Sequence, residues 1–111
     1  MEWQIVYYSE QLQQAIRDLP ANLRARYVHL VERMAAFGPD LGMPHTRAFG
    51  KGLFELRMKA KEGIGRVFFC TLPARRIMML HAFVKKSEKT PRNELRTARR
   101  RQKEVEDNAD A

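Results

Sequence analysis

The sequence predicts an α+β domain in which helices pack against a small antiparallel sheet. Three short segments rich in β-forming or apolar residues, at 52–59, 65–71 and 77–86, are separated only by turn-forming residues. Connections this short suit antiparallel hairpins, because a parallel pair of strands needs a crossover of a dozen or more residues. Helical patterns precede and follow these segments. We therefore expect a three-stranded meander framed by helices.

The first forty residues predict a strand followed by two helices. The β-branched and aromatic run at residues 3–8 indicates the strand. Ser9 predicts the N-cap of a first helix, which Pro20 ends. Asn22 predicts the N-cap of a longer second helix, which ends near Gly38. Apolar residues recur at helical spacing in both helices, as expected for helices that pack against one face of a sheet.

The next region predicts a loop, a short strand near residues 46–49, and then the meander. Because side chains alternate along a strand, each meander strand places charged or polar residues among apolar ones on one face. These sets are Leu53, Glu55, Arg57 and Lys59 in the first strand, Arg66, Phe68 and Cys70 in the second, and Ile77, Met79, His81, Phe83 and Lys85 in the third. One face of the sheet is therefore expected to be basic, as in an anion-binding protein.

A basic helix is predicted near the C-terminus. Thr90 has the residue type of an N-cap, and Pro91 that of a first helical position. Glu94 falls in the first turn, where the helix dipole favours an acid. We expect the helix to end near Glu106.

Length and composition are those of one globular domain. The chain has 111 residues, of which 44% are hydrophobic and 31% charged. We expect a single domain over residues 1–106 and a frayed acidic tail over residues 107–111. No apolar run reaches the roughly 18 residues of a membrane span, and the N-terminus lacks the pattern of a signal peptide. The single cysteine, Cys70, excludes an internal disulfide, so a cytoplasmic protein without membrane association is expected.

The formal net charge of +8 is unevenly distributed along the chain. Residues 41–103 carry seventeen Lys or Arg against four Asp or Glu, whereas residues 1–40 are nearly neutral. Positive charge concentrated in the strands and the last helix predicts a polyanionic partner, nucleic acid first. The alternative is a basic surface that serves only solubility.

Four segments together resemble one known family. They are Leu-Phe-Glu-Leu-Arg at 53–57, Arg-Val-Phe-Phe at 66–69, Leu-His-Ala-Phe-Val-Lys-Lys at 80–86, and Lys-Thr-Pro followed by Glu, Ala and Arg within 89–99. In this combination the chain resembles the phage-derived, HigB-type toxins of the RelE/ParE superfamily of type II toxin–antitoxin systems. The resemblance extends over most of the chain. It implies a RelE-like fold, with an N-terminal strand and two helices packed on an antiparallel sheet and a basic C-terminal helix.

The resemblance also implies an activity, that of a ribosome-dependent mRNA endonuclease. Such enzymes cleave mRNA without metal, by attack of a ribose 2′-hydroxyl on the adjacent phosphate. This reaction needs proton transfer and cations around the phosphate. Arg57 and Arg66 are the implied phosphate-binding residues, because a guanidinium offers a forked set of donors. His81 is the implied proton-transfer residue.

The resemblance implies further contacts and partners. The implied RNA-binding residues are Lys51, Lys59, Lys85, Lys86, Arg99, Arg100 and Arg101. The implied partners are messenger RNA, the ribosome and a helix-turn-helix antitoxin, which would form a hetero-oligomer with the toxin. No cofactor is expected.

Other interpretations of these residues stay open. Arg57 and Arg66 could form structural ion pairs with Glu55, and His81 could be a structural, hydrogen-bonded residue. No tyrosine follows Tyr27, although many superfamily members place one near the end of the sheet. The ParE-like members inhibit DNA gyrase instead of cleaving RNA. A phage-derived protein that retains only nucleic-acid binding is a third possibility.

The remaining candidates have simpler interpretations. The run of arginines at residues 99–101 could be a solvated face, an RNA contact or the surface that an antitoxin neutralises. His29, His45 and Cys70 do not have the spacing of metal ligands, so no metal site is predicted.

Overall fold

Helices lie on both faces of a five-stranded sheet in the computed structural model, which describes residues 2–85 and 89–109. The strands are β1 (Gln4–Tyr7), β2 (Thr46–Gly50), β3 (Leu53–Ala60), β4 (Gly63–Leu72) and β5 (Arg76–Lys85). The helices are α1 (Glu10–Arg17), α2 (Ala21–Phe37) and α3 (Arg92–Asn108). The predicted α+β class and order of elements are confirmed. Within the described residues, no helix is long and apolar enough to cross a membrane.

The sheet has the strand order β1–β5–β4–β3–β2. The strands from β3 to β5 pair in antiparallel fashion, as predicted for the meander, and the predicted short strand β2 is also antiparallel to β3. In addition, β1 lies parallel to β5, which the sequence did not predict. This pairing is possible because two helices and three strands separate β1 from β5 along the chain.

The two N-terminal helices begin in different ways. Ser9 is the N-cap of α1, as predicted, because its Oγ accepts a hydrogen bond of 3.1 Å from the backbone nitrogen of Leu12. The prediction that Asn22 caps α2 is wrong. Pro20 occupies that position in an extended conformation, and the Asn22 side chain donates instead to Glu62 Oε2 at 2.9 Å.

The sheet separates two hydrophobic clusters. The larger one lies under α1 and α2, as predicted, and includes Leu12, Ile16, Leu23, Tyr27, Leu30, Met34, Leu56, Met58, Val67, Phe69, Ile77 and Met79. The smaller one lies on the opposite face, and its buried members are Leu53, Phe68, Cys70, Leu72, Leu80 and Ala98 of α3. The second face was predicted to be basic, but α3 makes part of it a second core.

A β-bulge changes which residues of β5 share a face. Phe69 pairs with Met79. The next pair is Phe68 with His81, so Leu80 is an extra residue in β5. Ile77 and Met79, which precede the bulge, therefore face α1 and α2, whereas His81 and Phe83, which follow it, lie on the opposite face. The prediction that every second residue from 77 to 85 shares one face is wrong for this reason.

Arginines of α3 attach this helix to the sheet through backbone carbonyl groups. Arg101 Nη1 donates to the carbonyl oxygen of Leu80 in the bulge at 2.8 Å, and its guanidinium lies 4.6 Å from the centre of the Tyr8 ring. Arg99 donates to the carbonyl groups of Phe49 and Gly50, the last two residues of β2, at 2.6 and 2.9 Å. These bonds explain how a helix with few apolar residues remains on the sheet.

The ends of α3 differ slightly from prediction. Pro91 is its N-cap, so the helix begins after the predicted position and Thr90 lies outside it. The helix continues to Asn108, two residues beyond the predicted end. The last two residues of the chain lie outside the described part.

We expect Arg101→Ala to lower the free energy of unfolding by about 1.5–3 kcal/mol, because it removes a charged donor from the Leu80 carbonyl. Arg100→Ala removes the same charge from an exposed neighbouring position, so its effect should stay within about 0.5 kcal/mol. Urea denaturation followed by circular dichroism measures both. Equal losses in the two variants would contradict the role of Arg101 at the bulge.

Candidate functional site

A cluster of polar side chains lies where β3, β4 and β5 meet the start of α3. In the sheet, Glu55 pairs with Phe68, and Phe68 pairs with His81. Arg57 pairs with Arg66 two residues further along. Since alternate residues of a strand share a face, these side chains lie on the side that α3 partly covers. We call this group the polar cluster, and its members are Glu55, Arg57, Arg66, His81, Thr90 and Glu94.

Glu55 and Arg66 form the enclosed part of the polar cluster. Both side chains are 0% exposed, and Arg66 Nη1 lies 3.7 Å from Glu55 Oε2. The Thr90 hydroxyl joins them, because it accepts a hydrogen bond from Arg66 Nη1 at 2.7 Å and donates one to Glu55 Oε2 at 3.1 Å. The Thr90 hydroxyl thus bonds to both members of the buried ion pair and does not cap α3.

Glu55 also contacts the second arginine that the sequence analysis identified. Nε of Arg57 lies 3.7 Å from Glu55 Oε1, and the Arg57 side chain is 15% exposed. The structural ion pairs with Glu55, which the sequence analysis left open as an alternative role for Arg57 and Arg66, are therefore present. Burial raises the pKa of Glu55 above its ordinary value, while the charges of Arg66 and Arg57 and the bond from Thr90 act in the opposite direction.

His81 lies beside a carboxylate from α3. Its Nε2 is 3.3 Å from Glu94 Oε1, and the two side chains are 18% and 21% exposed. The imidazole also stacks on Phe83, with 5.9 Å between ring centres. Nε2 of His81 has no hydrogen-bond partner of good geometry within residues 2–85 and 89–109. This nitrogen is buried and faces the carboxylate of Glu94, so the contact can orient the imidazole.

Sequence reasoning missed the roles of Thr90 and Glu94 in the polar cluster. Both residues were interpreted as features of the helix start and as part of the segment at 89–99 that resembles the family, with no role in a site. A contact between the first turn of α3 and the middle of β5 depends on how α3 packs, which local patterns do not contain. The signals that could have indicated such a role were their place in the family-like segment at 89–99 and their position shortly after a strand that carries a histidine.

The polar cluster thus has an enclosed part and an accessible part. Arg66 was predicted to bind phosphate directly, but its guanidinium is enclosed and instead holds Glu55 and Thr90 in place. Arg57, His81 and Glu94 are partly exposed. Together these three offer a permanent cation, an imidazole and a carboxylate, which can bind a phosphate and transfer a proton.

The predicted RNA-binding residues have different structural settings. Arg99 and Arg101 are half-buried and donate to backbone carbonyls, as described above. The exposed members are Lys51, Lys59, Lys85 and Arg100. Lys86 lies outside the described residues.

The other chemically reactive residues lie elsewhere. Burial raises the pKa of the Cys70 thiol to about 12, so this cysteine is a core residue and not a nucleophile. His29 and His45 line a cavity between α2 and β3. In the part of the chain that the structure describes, no three His, Cys, Asp or Glu side chains gather as metal ligands would.

Comparisons with known proteins agree with this fold. Residues 14–103 match a family described as phage-derived protein Gp49-like. Among solved structures, the chain is similar to a mutant of the Escherichia coli toxin RelE in the free state, with a TM-score of 0.57 and 11% identity. This similarity covers 91% of the chain and 98% of the RelE chain, and it confirms the predicted RelE-like fold. No curated protein matches the sequence significantly.

The burial of Glu55 predicts a pH-dependent difference in stability between the wild-type protein and Glu55→Gln. Because the folded-state pKa is raised, the folded protein keeps this proton at pH values where the unfolded chain has lost it. Wild-type stability should therefore fall, relative to the variant, as the pH rises from about 4.5 through the folded-state pKa. The expected size is about 1.4 kcal/mol for each unit of pKa difference.

Urea denaturation of both proteins in steps from about pH 4.5 to about pH 7.5 measures this difference. Glu32→Gln on the exposed side of α2 is the control and should show no such trend. A wild-type protein that gains stability over Glu55→Gln as the pH rises would show that the arginines outweigh burial.

Proposed function

The chain belongs to the family of phage-derived Gp49-like proteins, and on this basis we propose that it is the toxin of a type II toxin–antitoxin system and cleaves messenger RNA on the ribosome. We place it with the HigB-type toxins, whose sequence pattern it resembles. The RelE-like fold supports this proposal. The observation that carries the chemistry is the accessible group of Arg57, His81 and Glu94 on one face of the sheet.

In the proposed reaction, the 2′-hydroxyl oxygen of one nucleotide attacks the adjacent phosphorus, and the bond from phosphorus to the 5′-oxygen breaks. The products are a 2′,3′-cyclic phosphate and a free 5′-hydroxyl. His81 takes the proton from the attacking hydroxyl through its other ring nitrogen, Nδ1, while Glu94, 3.3 Å from Nε2, orients the imidazole. Water supplies the proton for the leaving 5′-oxygen.

Arg57 stabilises the negative charge that accumulates on the phosphate during attack. Its position depends on Glu55, which lies 3.7 Å from its Nε and is itself held by Arg66 and Thr90. Arg66 is therefore a positioning residue in this proposal. A preorganised guanidinium is effective because it does not have to reorient when the charge develops.

The proposed partners follow from the remaining charges. Exposed cations such as Lys59, Lys85 and Arg100 would hold the RNA backbone or ribosomal RNA. A helix-turn-helix antitoxin with an acidic segment over these cations would neutralise the toxin. Because ribosomes and mRNA are its targets, the protein would act in the cytoplasm.

Induction of this chain alone in a bacterial host, followed by mapping of new mRNA 5′ ends, tests the proposal. Cleavage at positions in phase with codons of translated messages would support it. Growth arrest with intact mRNA and damaged DNA would overturn it in favour of a gyrase inhibitor. The absence of any arrest would overturn it in favour of an inactive protein that retained the fold.

We expect His81→Ala to reduce mRNA cleavage by about 100-fold or more, because general acid–base catalysis contributes on the order of 10²–10⁴. The variant should stay folded, since His81 is only partly buried. Cleavage by purified protein in a ribosome translation reaction measures the effect. Lys103→Ala, at an exposed position of α3 beside Asp107, is the control and should cleave normally. Full activity of His81→Ala would remove the histidine from the mechanism.

We expect Glu94→Gln to reduce cleavage less than His81→Ala does, because Glu94 acts through the imidazole. The double variant His81→Ala with Glu94→Gln should then be no slower than His81→Ala alone. The same translation reaction measures all three proteins. Additive losses would show that Glu94 acts independently of His81.

A further inference from the structure

A second group of cations lies between α2 and β3. Two neighbouring cavities of about 480 and 440 Å³ share Arg26 and His29 in their linings. We call them together the edge groove. The cations and imidazoles of the edge groove, apart from Arg57, are Arg26, His29, Arg33, His45, Lys59 and Lys61.

The edge groove exists because β2 is shorter than β3. β2 pairs with β3 only as far as Leu56, so the rest of β3 forms an edge of the sheet. There the backbone nitrogen of Arg57 donates to the carbonyl oxygen of His45 at 2.8 Å, which brings the loop before β2 against the edge. The opposite wall is α2, where Arg26, His29 and Arg33 have the i, i+3, i+7 spacing of one helix face.

The ionisable side chains that line the edge groove are all cations or imidazoles. None of the described residues that line it is Asp or Glu. Carboxylates also lie nearby: Glu55 is beside Arg57, and Glu62 accepts a hydrogen bond from Asn22 in the second cavity. Cations that outnumber the nearby carboxylates in a concave site favour an anionic ligand.

The floor of the edge groove favours a nucleotide over a simple anion. Leu30, Pro44 and Ile64 provide apolar surface in the first cavity, where a base or a sugar could pack. Imidazole and guanidinium groups such as His29 and Arg26 can stack on unpaired bases. Each cavity falls within the roughly 300–1,000 Å³ range of small-ligand sites.

We propose that the edge groove binds nucleotides of the single-stranded message next to the phosphate that is cleaved. This inference rests on the proposed function. Arg57 belongs both to the edge groove and to the polar cluster, so an RNA strand that leaves the cluster over the edge of β3 enters the groove. Bases must be unpaired to enter the cavity that Leu30, Pro44 and Ile64 line, so the ligand is a single strand and not a duplex.

The test is binding of a fluorescent single-stranded RNA of about ten nucleotides whose 2′-hydroxyls are methylated. Methylation prevents the attack on phosphate, so binding can be measured whether or not the protein is a nuclease. The variant is Arg26→Ala with Arg33→Ala. The matched control is Arg17→Ala with Arg24→Ala, which removes the same charge from exposed positions of α1 and α2 that line neither cavity. Thermal unfolding checks that both variants remain folded.

We expect the groove variant to bind at least about tenfold more weakly than wild type at moderate salt. Its slope of log affinity against log salt should decrease by about 0.7 for each lost phosphate contact, while the control stays near wild type. Equal losses in both variants would overturn the proposal, because the effect would then be general charge. A groove variant that loses affinity for an RNA hairpin but not for the single strand would also overturn the proposal. A groove variant that loses affinity for poly-glutamate but not for RNA would overturn it as well.

The failure of the proposed function can be distinguished from the failure of this inference. In one outcome, the wild-type chain does not cleave mRNA, and the groove variant loses RNA binding while the control variant keeps it. RNA binding in the edge groove is then confirmed, and the proposed nuclease activity is refuted. If the wild-type chain cleaves mRNA and the groove variant binds and cleaves as well as the control, the edge groove is refuted and the nuclease stands.

Discussion

The ion pair between Glu55 and Arg66 lies inside the fold, where other groups supply part of its hydrogen bonding. Removing two charges from water is costly, and their attraction compensates for this only when further bonds satisfy them. Thr90 supplies one such bond to each partner, and Arg57 adds a second cation beside Glu55. The segment that leads into α3 is therefore tied to the middle of the sheet. This constraint brings the first turn of α3, with Glu94, to the strand that carries His81.

The bulge in β5 is the second condition for the site. Without the extra residue Leu80, strict alternation would give His81 the same face as Met79, under α1 and α2. With it, His81 lies beside Glu94 on the α3 side. The same bulge presents a carbonyl group that Arg101 binds, so one local irregularity both orients the histidine and attaches the helix.

Most of the fold could be predicted from the sequence, because it depends on local patterns. Short turns predict the meander, helical spacing predicts α1 and α2, and a serine before an apolar stripe predicts the N-cap at Ser9. The site could be predicted only in part. Arg57, Arg66 and His81 were recognised as candidates, but the burial of Arg66 and the contact of Glu94 with His81 depend on tertiary packing. The bulge that places His81 has no local sequence pattern of its own.

Charge counting along the sequence misjudges which surfaces are basic. The region with the largest excess of cations includes Arg66, which is enclosed, and Arg99 and Arg101, which bind backbone carbonyls. The nearly neutral N-terminal region, by contrast, supplies Arg26 and Arg33 to one face of α2, opposite the edge of β3. A ligand responds to the charges that reach a concave surface together, and not to their density along the chain. The edge groove combines cations from both regions, so it appears only once the chain has folded.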